Sequence, residues 1–178
     1  MGCQDYTDSS AGTSDAGLST TSYPLGLGAK ISASHPLVGY TLDSVTCTIK
    51  ISSSVTGNPD LTCYHFDGAG DPANLSDYRA ISDSHSSSDF VGAFTEKKFT
   101  FSSPAVLQAG DYIAVMLPSG QSGLSYFTET NSYTDYTNFA EWRTAWSDKT
   151  TGFTFTAEYD CGGAGGDTLL FPPQVAYI

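Results

Sequence analysis

Positive charge is scarce in this chain: seven Lys plus Arg stand against 19 Asp plus Glu, a formal charge of −12. Such a surface repels phosphate backbones and anionic headgroups, so neither nucleic acid nor a membrane surface is an expected partner. Long apolar runs are missing as well. None approaches the ~18 residues of a membrane-spanning helix, and no membrane insertion is expected. The start, MGCQDYTDSS, has neither the basic nor the apolar region of a secretion signal. Cys3 directly after Met-Gly suits the first residue of a lipoprotein whose leader has been replaced, with chance as the plain alternative. A myristoylation pattern fails at Tyr6, where Ser or Thr is required.

Reactive groups are few and scattered. His35, His65 and His85 include no i, i+4 pair, and no His-Glu-x-x-His, Cys-x-x-Cys or Gly-x-Ser-x-Gly occurs. Zinc hydrolysis and α/β-hydrolase chemistry lose their support. Glu129, Glu141 and Glu158 place no two carboxylates on neighbouring positions of one strand face, so a glycosidase pair is not indicated. The expectation is a protein that is not an enzyme.

What is abundant is Ser, Thr, Gly and Asp, residues that favour turns and strand edges and disfavour helix interiors. No stretch has a helical period, and no repeat is detectable. At 178 residues the chain suits one domain with a sizeable core. The reading is all-β: a two-sheet antiparallel β-sandwich of jelly-roll type over residues 30–178, preceded by a polar extension over 1–29. In TLDSVTCTIKI (41–51), Val45, Cys47, Ile49 and Ile51 alternate with Ser44, Thr46, Thr48 and Lys50, a half-buried strand. Turn residues Gly57, Asn58 and Pro59 follow, and LTCYHF (61–66) reads as the return arm of a hairpin. Residues 67–89 read as a loop, a short strand at Tyr78–Ile81 and a second loop. Phe99 and Phe101 are in phase, and GDYIAVML (110–117) is the strongest buried strand. The expected core is Val45, Ile49, Ile51, Phe99, Phe101, Tyr112, Ala114, Met116, Phe153 and Phe155.

The hairpin from Leu42 to Phe66, the loop DGAGDPANL (67–75), the phrase FTFSSPAVLQAGDYIAVMLPSG (99–120), an aromatic stretch ending near Trp146 and a terminal strand at Leu169–Phe171 together resemble choice-of-anchor R domains. The resemblance spans roughly residues 30–178. It implies a jelly-roll module in an extracellular or surface protein, similar to carbohydrate-binding modules and without a known catalytic site, with Leu61, Cys63 and His65 on the inward face. This chain departs from it in its polar N-terminal extension and in showing no anchoring segment.

Several residue groups are candidates for sites. Asp67, Asp71, Asn74 and Asp77 supply hard oxygen ligands on a Gly-rich loop, as Ca2+ prefers, although the spacing is not that of an EF-hand; a solvated acidic turn is the alternative. Trp142 and Trp146, with Tyr133 and Tyr136 nearby, offer flat faces on which glycans stack, or else belong to the core. Cys47 and Cys63 lie on opposite arms of the expected hairpin, able to form a disulfide or to remain buried thiols. Cys3 and Cys161, near the chain ends, are a second possible bridge.

The extension buries too little apolar surface to offset its ordering entropy of ~1 to 2 kcal/mol per residue unless something holds it. Leu18, Tyr23, Leu25 and Leu27 are its apolar pegs, expected to pack on its own domain or on a neighbouring subunit, with the neighbour favoured. The function expected is a structural or adhesive subunit at an extracellular location, on a cell surface or a virion, assembling as a homo-oligomer; the alternative is a carbohydrate-binding module.

Overall fold

The computed structural model describes residues 2–7, 14–19, 25–51, 59–72, 76–117, 122–128, 137–142, 145–148 and 155–161. These form β1 (Gln4–Thr7), β2 (Ser14–Ser19), β3 (Leu25–Ile31), β4 (Thr41–Ile51), β5 (Asp60–Asp71), β6 (Ser76–Ser86), β7 (Thr95–Val106), β8 (Tyr112–Leu117), β9 (Ser122–Thr128), β10 (Thr137–Trp142), β11 (Trp146–Asp148) and β12 (Thr156–Tyr159). One 3-10 turn, Ser87–Phe90, is capped by the Ser86 side chain. The fold is all-β, with no α-helix among the described residues, and its strand ladders are antiparallel. No described helix is long and apolar enough to cross a membrane, which says nothing about a β-barrel.

The sheet order is β1-β12-β4-β7-β6-β5-β8-β3-β10-β11, with β9 beside the far end of β4 and β2 beside β9. The sheet curls into a half-barrel. Its weakest joint is β6–β7, which pair only at Ser82↔Phe101. Inward side chains from both sides of that joint meet in one core: Val45, Ile49 and Phe99 from one run, Leu27, Cys63 and Val115 from the other. Alternation drives this. In β4, Val45, Cys47, Ile49 and Ile51 are buried while Thr46, Thr48 and Lys50 are half-buried, the expected pattern of a strand with one face on the core.

Several expectations are corrected. β4 and β5 do not form a hairpin: β4 is flanked by β7 and by β12 and β9, and β5 by β6 and β8. Their apolar faces meet across the core instead, Cys47 from β4 and Cys63 from β5 lying in one buried cluster. The short strand expected at Tyr78–Ile81 is part of a longer one, β6, and its flanks are not both loops. β5 runs on to Asp71 and turns into β6, with register shifts at Thr62/Tyr64, His65/Phe66 and Phe66/Asp71, so bulges accommodate the polar residues there.

All six residues of β8 are buried, and they divide between two faces. Ile113, Val115 and Leu117 enter the main core, while Tyr112, Ala114 and Met116, expected there, pack on the opposite face with Tyr64 and Phe66. A strand covered on both sides needs no alternation, which is why its sequence is uniformly apolar. Phe155 is in the main core; Phe153 lies outside the described residues.

The first thirty residues are not set apart from the sheet. β3 crosses the expected boundary at 29/30 and lies between β8 and β10; β1 pairs with β12 and β2 with β9. Leu27 is fully buried in this chain's own core and is therefore no peg for a neighbour. Leu18 and Leu25 are in register with Leu124 and Leu117, and Tyr23 lies outside the described residues.

Candidate functional site

The outward face of β3, β5, β6 and β8 carries an aromatic patch. Cross-strand register aligns Lys30, Tyr112, Phe66 and Tyr78 in one row. Tyr64 and Phe66, two residues apart and so on one face, stack with centroids 5.3 Å apart, and Tyr78 meets Tyr64 edge-on at 5.6 Å. Lys30 Nζ lies 5.3 Å from the Tyr112 ring centre, within cation–π range. Burial, and then the neighbouring Tyr78, push the Tyr64 hydroxyl above its ordinary pKa.

Trp146 closes over this patch. It stacks on Tyr112 at 4.1 Å, meets Phe66 edge-on at 5.9 Å, and its indole N–H donates to the Gly70 carbonyl at 3.1 Å. In sheet order β11 is separated from β8 by β3 and β10, so β11 folds back over the outward face to reach Tyr112. Of the residues expected to form a glycan platform, Trp146 is half-buried and Trp142 is in register with both Trp146 and Gly26, so the two tryptophans belong to adjacent strands rather than to one. Tyr133 and Tyr136 lie outside the described residues. Within this patch Tyr78 stays open to solvent, at 44% exposure, and Trp146 is half-buried.

A polar network that the sequence reading missed lies at the inward side of β5. His65 and Asp111 are 0% and 1% exposed, with Nε2 2.7 Å from Oδ2. Arg79 Nε donates to both Asp111 oxygens at 3.2 and 3.0 Å, Arg79 Nη2 donates to Gln108 Oε1 at 3.1 Å, and the Gln108 backbone N–H donates to Asp111 Oδ2 at 2.9 Å. A carboxylate this deep is tolerable only when paired and hydrogen-bonded, and here it ties β5, β6 and the β7–β8 turn together. The signal available in sequence was Asp111 at the start of the strongest buried stretch, GDYIAVML, and a His in phase with Leu61 and Cys63.

The chain ends form the third group. A disulfide joins Cys3 to Cys161. Asp43 Oδ2 accepts the Cys161 backbone N–H at 2.9 Å, Thr41 N–H donates to Asp160 Oδ1 at 3.0 Å, and Asp160 N–H donates to the Thr41 carbonyl at 2.9 Å. Glu158 takes Lys98 Nζ at 2.6 Å on Oε1 and the Ser44 hydroxyl at 3.3 Å on Oε2. Cys47 and Cys63 are not bridged: they are free buried thiols on strands that do not pair. Burial first, and Glu96 second, push the Cys47 thiol up to about 12; burial, then Cys47 and Asp83, raise Cys63. Neither is a nucleophile at neutral pH.

Among the described residues, Asp67, Asp71 and Asp77 are not gathered into a cluster of metal ligands. Asp67 Oδ1 accepts the Ala69 N–H at 2.8 Å, Asp77 Oδ2 accepts the Ser76 hydroxyl at 3.0 Å, Asp71 is in register with Ser76, and Asn74 lies outside the described residues. These are the local turn bonds of Asp and Ser. Compared with known protein families, curated proteins and solved structures, the chain matches none.

Proposed function

We propose that the chain is a non-catalytic structural or adhesive module, folded as a jelly-roll sandwich of the choice-of-anchor R kind and displayed outside the cell or on a virion, where it assembles with copies of itself. The observation that carries this reading is the Cys3–Cys161 disulfide, which locks the first strand to the end of β12. Disulfides persist in oxidising compartments, and tying the edge strand β1 to its neighbour resists the pulling and proteolysis met on a surface. Two further features support it. The shared core on either side of the single β6–β7 pair suits two facing sheets. His65 and Asp111, a buried acid–base pair, are shielded from solvent and hold strands together.

Sedimentation and electron microscopy of the purified chain across concentration test the assembly. Discrete oligomers or filaments support it, and a monomer at every concentration defeats it.

The outward aromatic face favours a second reading, a carbohydrate-binding module. Tyr78 and the open part of Trp146 offer apolar ring surface of the kind on which sugars stack. Retention on a polysaccharide column that is lost in Tyr78→Ala, with unchanged melting, supports this reading; no retention on any glycan tested removes it.

A further inference from the structure

Cys3, Glu158 and Cys161 bring two sulfurs and a carboxylate oxygen within 4.8 Å of one another. Cys3 is exposed, and the other two are half-buried. We propose that when a reductant opens the Cys3–Cys161 disulfide, these three side chains bind a zinc-class divalent cation, so that the chain ends stay clipped in reducing surroundings as in oxidising ones.

The donor set fits that class of ion. Thiolates and a carboxylate bind Zn2+ at roughly 2.3 Å and 2.0 to 2.2 Å, which sets tetrahedral donors roughly 3.5 to 3.8 Å apart, within reach of rotamer changes from the observed separations. The fourth position falls to water, as in three-ligand zinc sites. The backbone keeps the donors together without the covalent bond: Gln4 is in register with Tyr159, and Asp160 and Cys161 are held by Thr41 and Asp43. Lys98 and Ser44, bonded to the two oxygens of Glu158, orient the carboxylate as outer partners do around metal ligands. Two thiolates, one carboxylate, the Lys98 ammonium and a divalent cation sum to zero charge. Glu158 also lines a depression of about 220 Å³ with Asp5, Thr7, Thr46 and Thr156 among others.

The chemistry balances. A dithiol reductant delivers two electrons and two protons to the S–S bond, which breaks to two thiols while the reductant closes to its own disulfide. Cation binding then releases two thiol protons to solvent and forms two metal–sulfur bonds and one metal–oxygen bond, with no further redox change. The proposal is independent of where the protein resides.

The test uses the full chain, reduced with excess dithiothreitol, desalted without oxygen and titrated with Co2+ as the spectroscopic stand-in for Zn2+. The expected result is a sulfur-to-cobalt charge-transfer band that saturates at one equivalent and is displaced by Zn2+. The band is absent before reduction and in Cys3→Ser/Cys161→Ser, present in Cys47→Ala/Cys63→Ala, and shifted in Glu158→Gln to an affinity lower by at least the ~10-fold that an outer partner is worth. A band that survives in Cys3→Ser/Cys161→Ser, or that never forms in the reduced parent, overturns the proposal. So does Glu158→Gln binding as tightly as the parent. Should the variants fail to fold, peptide mapping of the reduced parent decides: Zn2+ must slow alkylation of Cys3 and Cys161, and equal labelling with and without Zn2+ overturns the site.

Discussion

Trp146 lies flat on Tyr112, ring centroids 4.1 Å apart and planes 4° from parallel, although two strands separate β11 from β8 in the sheet. That contact folds the end of the sheet back over its own outward face and covers a patch that would otherwise present Tyr64, Phe66 and Met116 to water. Trp146 thereby serves stability before it serves recognition.

Replacing Trp146 with Ala should therefore destabilise the domain, by somewhat less than the ~3 to 5 kcal/mol of a fully buried aromatic because the residue is half-buried. Trp146→Phe keeps the stack but loses the bond to Gly70, for about 1 kcal/mol. Urea midpoints of the two variants measure both. Equal midpoints for parent and Trp146→Ala would show that the stack contributes nothing.

Removing the Asp111 carboxylate leaves Arg79 and His65 without their shared acceptor. Asp111→Ala should cost about 3 to 5 kcal/mol, the usual consequence of breaking a buried ionic pair. Arg79→Ala should cost less, since Arg79 is 30% exposed and solvent screens it. Thermal melts rank the two, and the reverse order would contradict the burial seen here.

The disulfide closes most of the chain into one loop, its cysteines 158 positions apart in sequence. Cys3→Ser/Cys161→Ser should lose ~2 to 5 kcal/mol relative to the oxidised parent. In the presence of dithiothreitol and a chelator, parent and variant should unfold at the same denaturant concentration. A persistent difference would place the loss in packing rather than in the cross-link.

Stability should fall in alkali. Burial holds the Cys47 thiol protonated up to about 12, against an ordinary value of 9.0. Above pH 9 the unfolded chain gives up this proton while the folded one keeps it. The contribution is therefore complete below about pH 9 and is lost as pH rises toward 12, with a limiting slope of ~1.4 kcal/mol per pH unit. Cys63 is raised in the same direction and adds to the loss. Unfolding free energies measured between pH 8 and 10.5 should decline less steeply in Cys47→Ala than in the parent; identical slopes would mean that the thiol is not the source.

For β4, β7 and β8 the sequence by itself determined that the segments are strands, and for β4 and β7 which residues point one way. The alternation of Val45, Cys47, Ile49 and Ile51, the phase of Phe99 and Phe101 and the uniform apolarity of Tyr112–Leu117 are local properties, and each segment carries its own. Tertiary structure alone decided the partners. Two apolar faces are satisfied equally by lying side by side or across a core, so Cys47 and Cys63 share the core without sharing a ladder. An all-apolar strand carries no phase, so only its covering shows that Val115 faces the main core and Met116 the outward patch. The fold-back of Trp146, the convergence of His65, Arg79 and Asp111 and the meeting of Cys3 with Cys161 each depend on pairing residues far apart in the chain, and burial, which selects those pairings, is a property of the folded sheet rather than of any segment in it.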